Sequence, residues 1–318
     1  MGLLGLGTRG EAPQAALVRH PRRARLGGVN RRDHRRLWSS VATAVGLSAV
    51  ALLSGPRAWA QSDESDSLIQ EVTVEEIKNF IDPTLMRNSF DYDFATNFLS
   101  FGAEVYTHRV IPFWAINHWT GVWAELPIQT LSLPDAERTT GVGDVLLGWG
   151  AIIHEDLQSR LTTSIVTFEA LAPTGDPDRG TGFGTWILAP GGALAFNPTD
   201  RFPVFVVGRY LHSVEGLGGD SREEEVAERP DLRVRSAELT LQTVHILPKG
   251  FFVSVIPSFV FNFNQDFSFF SLGIEVGRAL NSKLAVSGGY VRHLAGRQTF
   301  NQVLTFRVNF LFGRRKDE

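Results

Sequence analysis

The chain has no cysteine among its 318 residues. That excludes a disulfide framework, a thiolate metal site and a cysteine nucleophile. Tyrosine and methionine are scarce, at 4 and 2 residues, beside 23 Phe and 31 Gly, an unusual balance for a soluble enzyme. Long apolar runs are also missing. Mean hydropathy is -0.03, far too polar for a bundle of membrane helices, and only Val41–Leu53 stands out as an apolar run. Disorder is excluded as well, because 43% of residues are hydrophobic and only 20% charged.

The formal net charge of -3 conceals a division. Residues 1–60 hold ten Arg against one Asp and one Glu, so the remainder is strongly acidic. An acidic mature chain argues against nucleic-acid binding. Arg31, Arg32, Arg35 and Arg36 precede the apolar run, and Ala58-Trp59-Ala60 closes it. A basic start, a short apolar stretch and an A-x-A end predict a secretory signal peptide over residues 1–60, with a long basic n-region. Residues 61–89 are polar and acidic. A weak helical pattern over Val72–Ile81, ended by Pro83, predicts a periplasmic arm or small plug.

From Phe90 the period becomes two. Leu304, Phe306, Val308, Phe310 and Phe312 share one face, with Thr305, Arg307 and Asn309 on the other. Phe251, Val253, Val255, Phe259 and Phe261 repeat this opposite Ser254, Ser258 and Asn262. So do Val145, Leu147, Trp149, Ala151 and Ile153, and so do Leu272, Ile274 and Val276. Leu99, Phe101, Ala103 and Val105 are read as a further apolar face opposite Glu104 and Tyr106. About twelve such strands fit between Phe90 and Phe312, joined by short turns alternating with longer polar loops at 129–140, 173–182 and 214–230. The fold class expected is all-β: a transmembrane antiparallel up-and-down barrel over residues 90–312, followed by a polar tail at 313–318.

A soluble sandwich or lipocalin-like barrel would alternate in the same way, with the apolar face turned inward. The membrane reading is favoured by isolated charges within the strands. These are Glu104, Glu125, Asp144, Glu169, Glu238, Glu275 and Arg307, on faces otherwise made of Gly, Ser, Asn and Thr. Together with Arg209 they are the candidate lumen and selectivity residues. Arg233, Arg235 and Arg292 are further possible partners for the inward carboxylates. Asp176 and Asp178 in one loop, and Glu223, Glu224 and Glu225 in another, are the outer-loop candidates.

Catalytic and cofactor motifs are weak. Gly180-Thr181-Gly182-Phe183-Gly184 precedes a strand, so it is not a dinucleotide loop. Asp176-Pro177-Asp178 lacks the distal Glu of a calcium loop, and Ile187 stands there instead. His108, His118, His154, His212, His245 and His293 form no metal spacing, and no cofactor is expected. His212 and Ser213 are adjacent, so in a strand they point to opposite faces and cannot form a dyad. Trp114, Trp119 and Trp123 read as a membrane-interface girdle.

Gly141-Val142-Gly143-Asp144, then Leu171-Ala172-Pro173-Thr174-Gly175-Asp176, then Gly180-Thr181-Gly182-Phe183-Gly184-Thr185-Trp186 stand in this order after Glu125-Leu126-Pro127. This pattern resembles outer-membrane transporters of the phenol meta-pathway degradation type, over most of residues 90–312. The resemblance implies a β-barrel of the Gram-negative outer membrane associated with uptake of hydrophobic or aromatic compounds, and carries over no catalytic residue. Such barrels usually finish on an aromatic residue; here Gly313-Arg314-Arg315-Lys316-Asp317-Glu318 follow Phe312.

The function expected is passive passage of small hydrophobic or aromatic molecules through a narrow, polar-lined lumen. Its expected partners are outer-membrane lipid and lipopolysaccharide, the barrel-insertion machinery and those solutes. A structural or surface-interaction barrel with a closed lumen is the alternative, and a lipid-modifying barrel hydrolase using His118 is the third reading.

Overall fold

A computed structural model describes residues 72–100, 102–134, 137–214, 234–264, 267–297 and 300–312. Residues 1–60, expected to be a leader, and the tail at 313–318 lie outside the described residues, as do Arg233, Glu223, Glu224 and Glu225.

Period-two stretches become strands. The first three are β1 (Ser89–Leu99), β2 (Glu104–Ala115) and β3 (Thr120–Ser132). They are followed by the short β4 (Thr139–Val142), β5 (Val145–Glu155), β6 (Leu161–Ala172), β7 (Trp186–Phe196) and β8 (Val204–Val214). Then come β9 (Arg235–Ile246), β10 (Phe251–Asn262), β11 (Phe267–Asn281), β12 (Leu284–Gly296) and β13 (Phe300–Leu311). Apart from β4 and β5, each strand pairs antiparallel with its sequence neighbours, and β1 pairs with both β2 and β13, so the sheet closes on itself. The short β4 and β5 act as one interrupted strand: β3 pairs with β4 over Ile128–Leu131 and with β5 over Thr120–Glu125. The result is a twelve-stranded barrel with one extra strand piece. Closure removes every sheet edge, as a membrane interior demands of a sheet.

The apolar faces point out. Trp149 is 42% exposed, Ile274 48%, Phe259 42% and Phe306 46%, while Glu169 and Asp93, on inward faces, are 3% and 2% exposed. This is a soluble core turned inside out, so the sandwich and lipocalin readings are excluded. One strand departs from expectation. Leu99, Ala103 and Val105 face inward and join a buried cluster, while Glu104 stands on the outer face with Tyr106, whose hydroxyl donates to it. The loop expected at 129–140 is also shorter, because β3 continues to Ser132 and β4 begins at Thr139.

Both described chain ends lie at the same end of the barrel, here called the turn end. The opposite, loop end carries the connections before β4, β7 and β9.

At the turn end, helix α1 (Val74–Ile81) sits among inward-facing side chains. A capping box starts it. The Thr73 hydroxyl accepts from the Glu76 N–H at 3.2 Å, and the Glu76 carboxylate accepts from the Thr73 N–H at 2.8 Å. Pro83 follows its end. Ile77, Phe80 and Ile81 pack with Ala195, Phe205, Val244, Ile246, Phe252, Ala279 and Ala285. Beyond the helix, Met86 packs on two other clusters, one with Phe113 and Trp123 and one with Ile152 and Ile165. Residues 74–86 therefore touch inward side chains from β2 round to β12 at the turn end of the barrel.

Candidate functional site: the lumen

Two ionic networks line the barrel interior. In the first, Arg209 on β8 lies between Glu238 on β9, at 2.6 Å, and Glu169 on β6, at 3.2 Å. Reaching β6 from β8 means crossing β7, and Gly191 stands at the crossing. A Cβ there would lie 2.9 Å from the Arg209 Cβ and 2.6 Å from the Gly208 carbonyl oxygen, so a side chain would collide with both. In the second network, Arg307 on β13 bonds Asp93 on β1 at 2.6 Å and approaches Glu275 on β11 at 3.9 Å. Arg109 on β2 continues the chain to Asp93 at 3.5 Å and to Glu125 on β3 at 3.7 Å. The Ser287 hydroxyl donates to Glu275 at 2.6 Å.

The structure thus gathers Glu125, Glu275 and Arg307 in one network and Glu169, Arg209 and Glu238 in the other. It excludes Glu104 from the lumen, and places Arg235 and Arg292 on the outer face rather than beside the inward carboxylates. It adds two residues that alternation did not reveal, Asp93 and Arg109. Their signal was faint, since Arg109 shares its inward face with Val105, Ile111 and Phe113. The tryptophans also divide: Trp114 and Trp119 are exposed, whereas Trp123 turns inward and stacks on Phe113 at 5.7 Å between ring centroids.

Asp144 does something different from the networks. It sits in the gap between β4 and β5, buried, and accepts backbone N–H bonds from Gly175 at 2.8 Å and Phe183 at 2.6 Å. The Thr174 hydroxyl donates to the Gly143 carbonyl at 2.9 Å and accepts from the Val145 N–H at 2.9 Å. Asp144 and Thr174 therefore clamp the connection between β6 and β7 onto the barrel. Gly175 and Gly182 make the approach possible, because a Cβ on Gly175 would meet the Thr181 carbonyl oxygen at 2.4 Å. Phe183 packs against the cluster of Leu146, Leu171 and Ile187. Asp176 and Asp178 are at the tip of this connection, where Asp176 accepts from the Asp178 N–H at 3.0 Å and pairs with Arg179 at 3.5 Å. The glycine-rich motifs thus build a latch, which turn signals alone did not reveal.

Asp144→Asn will loosen this latch by about 2 kcal/mol, the scale of losing charge-assisted bonds to buried donors. Trypsin cleavage after the exposed Arg179 reads it: the variant will be cut faster than the parent, while its barrel stays resistant.

Away from the charges the inner face mixes apolar side chains with Ser, Thr, Asn and Gln, such as Gln242, Ser254, Ser258 and Asn262. Near the loop end Leu99, Val105, Leu131, Ile256, Val260 and Phe269 form an inward-facing cluster, extended by Val291, Phe300 and Val303. The interior is therefore layered: an apolar cluster with some Ser and Asn toward the loop end, the ionic networks between, and the helix packed against apolar side chains at the turn end.

The plug carries its own charges. Asp82 accepts from the Thr84 N–H at 2.8 Å and the Thr84 hydroxyl at 2.6 Å. Burial pushes the Asp82 carboxyl above its ordinary range, partly opposed by the Thr84 bonds and the nearby Arg87. The same burial lowers Arg87 to about 10. A raised carboxyl pKa in the docked plug means the docked state binds the proton more tightly. Docking is then strongest below the ordinary value of 3.8 and weakens as pH rises from there through the raised value. Conductance should accordingly fall on acidification across this window. Asp82→Asn should flatten that dependence in planar-bilayer recordings.

An apolar outer belt, a closed ladder and a charged lumen define an outer-membrane β-barrel. Residues 84–221, covering β1 to β8, match the family described as "Putative MetA-pathway of phenol degradation", the family that the glycine motifs resemble. An outer-membrane channel from Pseudomonas putida F1 shares the fold. It has 15% identity and a TM-score of 0.54, and the alignment covers 78% of this chain and 100% of the other. The KdgM porin aligns at 9% identity and a TM-score of 0.48, over 71% of this chain and 99% of its own. The CymD monoaromatic hydrocarbon channel aligns at 9% identity and a TM-score of 0.40, over 79% and 96%. No protein of curated function matches the sequence.

Proposed function

We propose that this barrel is a channel of the Gram-negative outer membrane for passive passage of small hydrophobic or aromatic molecules, and not an enzyme. The carrying observation is the inward apolar wall at the loop end, with Phe269, Phe300, Val260 and Leu131 facing the lumen. Ser236, Ser258, Asn262 and Ser271 also face inward toward this end, so the wall offers an apolar solute a few polar partners as well. An apolar wall gives an apolar solute a place to leave water, at roughly 25 cal/mol per Å² of surface buried. The family described by phenol degradation supports the same solute class. The lumen candidates Glu125, Glu169, Arg209, Glu238, Glu275 and Arg307 would set the bore below this wall, since charged side chains lining a pore fix its width and ion preference.

The helix packed at the turn end favours a second reading, a structural barrel with a shut lumen. The hydrolase reading has less behind it. His118 lies in the turn between β2 and β3, paired with Glu155 at 2.6 Å, outside the lumen. Growth of a deletion strain on limiting aromatic and aliphatic carbon sources separates these readings. A defect confined to apolar substrates and restored by the intact gene supports the channel. Normal growth on the whole panel, with no openings of the purified barrel in bilayers, would leave the shut barrel. Lipase activity abolished by His118→Ala would replace both.

A further inference from the structure

The outer face of the barrel is apolar apart from a few sites near its rims, and one of these holds a cation with no carboxylate. Arg235 opens β9 at the loop end and is exposed on the outer face, in register with His212 of β8. Its guanidinium Nε donates to the Tyr210 hydroxyl at 3.4 Å, and no described carboxylate pairs with it. The Tyr210 ring stacks on His212, with centroids 6.1 Å apart and planes at 16°, and lies tilted to Phe263 at 6.2 Å between centroids. Below the cluster on the same faces lie Val206, Leu239 and Phe261, which acyl chains would cover.

An arginine costs little at a membrane interface and several times more toward the midplane. Here it is fixed at the rim by tyrosine rather than by a carboxylate. That leaves the terminal guanidinium N–H groups for an anion, in the fork geometry that suits phosphate. Because Arg235 donates to the tyrosine oxygen, the phenolic hydrogen is available to a second acceptor, and His212 adds a third donor beside it. An anion on this face must also tolerate acyl chains directly beneath it, which a free anion does not require and a lipid headgroup does.

We propose that Arg235, Tyr210 and His212 form a docking site for the phosphorylated headgroup of an outer-leaflet glycolipid, with its acyl chains lying on β8, β9 and β10. The site is separate from the lumen and independent of what the lumen carries.

Native mass spectrometry of the folded full chain in detergent micelles tests this. The probes are a phosphorylated diglucosamine glycolipid, the same glycolipid with its phosphates removed, and inorganic phosphate. The intact protein should retain the phosphorylated lipid about tenfold better than the dephosphorylated one, the scale of one charge-assisted contact. Arg235→Ala should lose that preference and Arg235→Lys should keep part of it. Arg278→Ala should keep all of it, since Arg278 lies over the Phe251 ring at the turn end. Retention of the preference in Arg235→Ala, no preference in the intact protein, or displacement of the lipid by equimolar inorganic phosphate would each overturn the proposal. Heat-dependent gel mobility confirms that each variant is folded.

Discussion

Replacing Ile77 and Phe80 together by Ala will raise single-channel conductance several-fold, without loss of the barrel. Both side chains are buried in the cluster that seats α1 against Phe205, Ile246 and Phe252. Truncating such residues costs about 2 to 5 kcal/mol each, so the pair shifts the docked helix toward release by about three to seven orders of magnitude. None of the barrel's ladder bonds involves α1, because the strands pair only with one another. Barrel stability and plug docking are thus separable. Deleting residues 72–86 sets the upper limit of the effect. Planar-bilayer recording decides: conductance unchanged in both variants would mean that the helix does not close the path.

The second large effect is expected at Arg209. It is the one cation between Glu169 and Glu238, and its side chain is 4% exposed. Arg209→Met removes from two buried carboxylates the guanidinium that pairs with both. Breaking a buried pair in this way costs about 3 to 5 kcal/mol, more than the pair contributes over an apolar replacement. The triple variant Glu169→Gln, Arg209→Met, Glu238→Gln should recover most of that loss, because no charge remains stranded. Urea unfolding in lipid vesicles, followed by tryptophan fluorescence, checks both. A triple variant as unstable as the single one would show that the arginine acts by packing instead.

How far the sequence foretold this architecture depends on the strand. β13 alternates without a break, and its faces were legible at once. Leu304, Phe306, Val308 and Phe310 lie outward, while Arg307 and Asn309 are buried. β2 did not read so clearly. Its inward face mixes Arg109 and Thr107 with Val105, Ile111 and Phe113, because the barrel interior is apolar at both ends and ionic between. A rule that places apolar residues outward fails where the inner face is itself apolar, and applied to Leu99, Ala103 and Val105 it sends Glu104 to the lumen. The latch failed to show for another reason. Asp144 meets Gly175 and Phe183, 31 and 39 residues further along. Only the pairing of β5 with β6, and of β6 with β7, makes them neighbours. The glycines announced a tight turn, and what they permit is a close approach between two distant segments.

The most direct test of the account is accessibility measured by spin labels. The chain contains no cysteine, so single substitutions introduce one label each without a background. Labels at Phe259 and Ile274 sit on the outer faces of β10 and β11, and labels at Ser258 and Thr240 on the inner faces of β10 and β9. In reconstituted vesicles the outer pair should relax with dissolved oxygen and ignore a water-soluble nickel chelate, and the inner pair should show no such oxygen response. Outer labels that respond to nickel and not to oxygen would mean that water, and not acyl chains, covers the phenylalanine face.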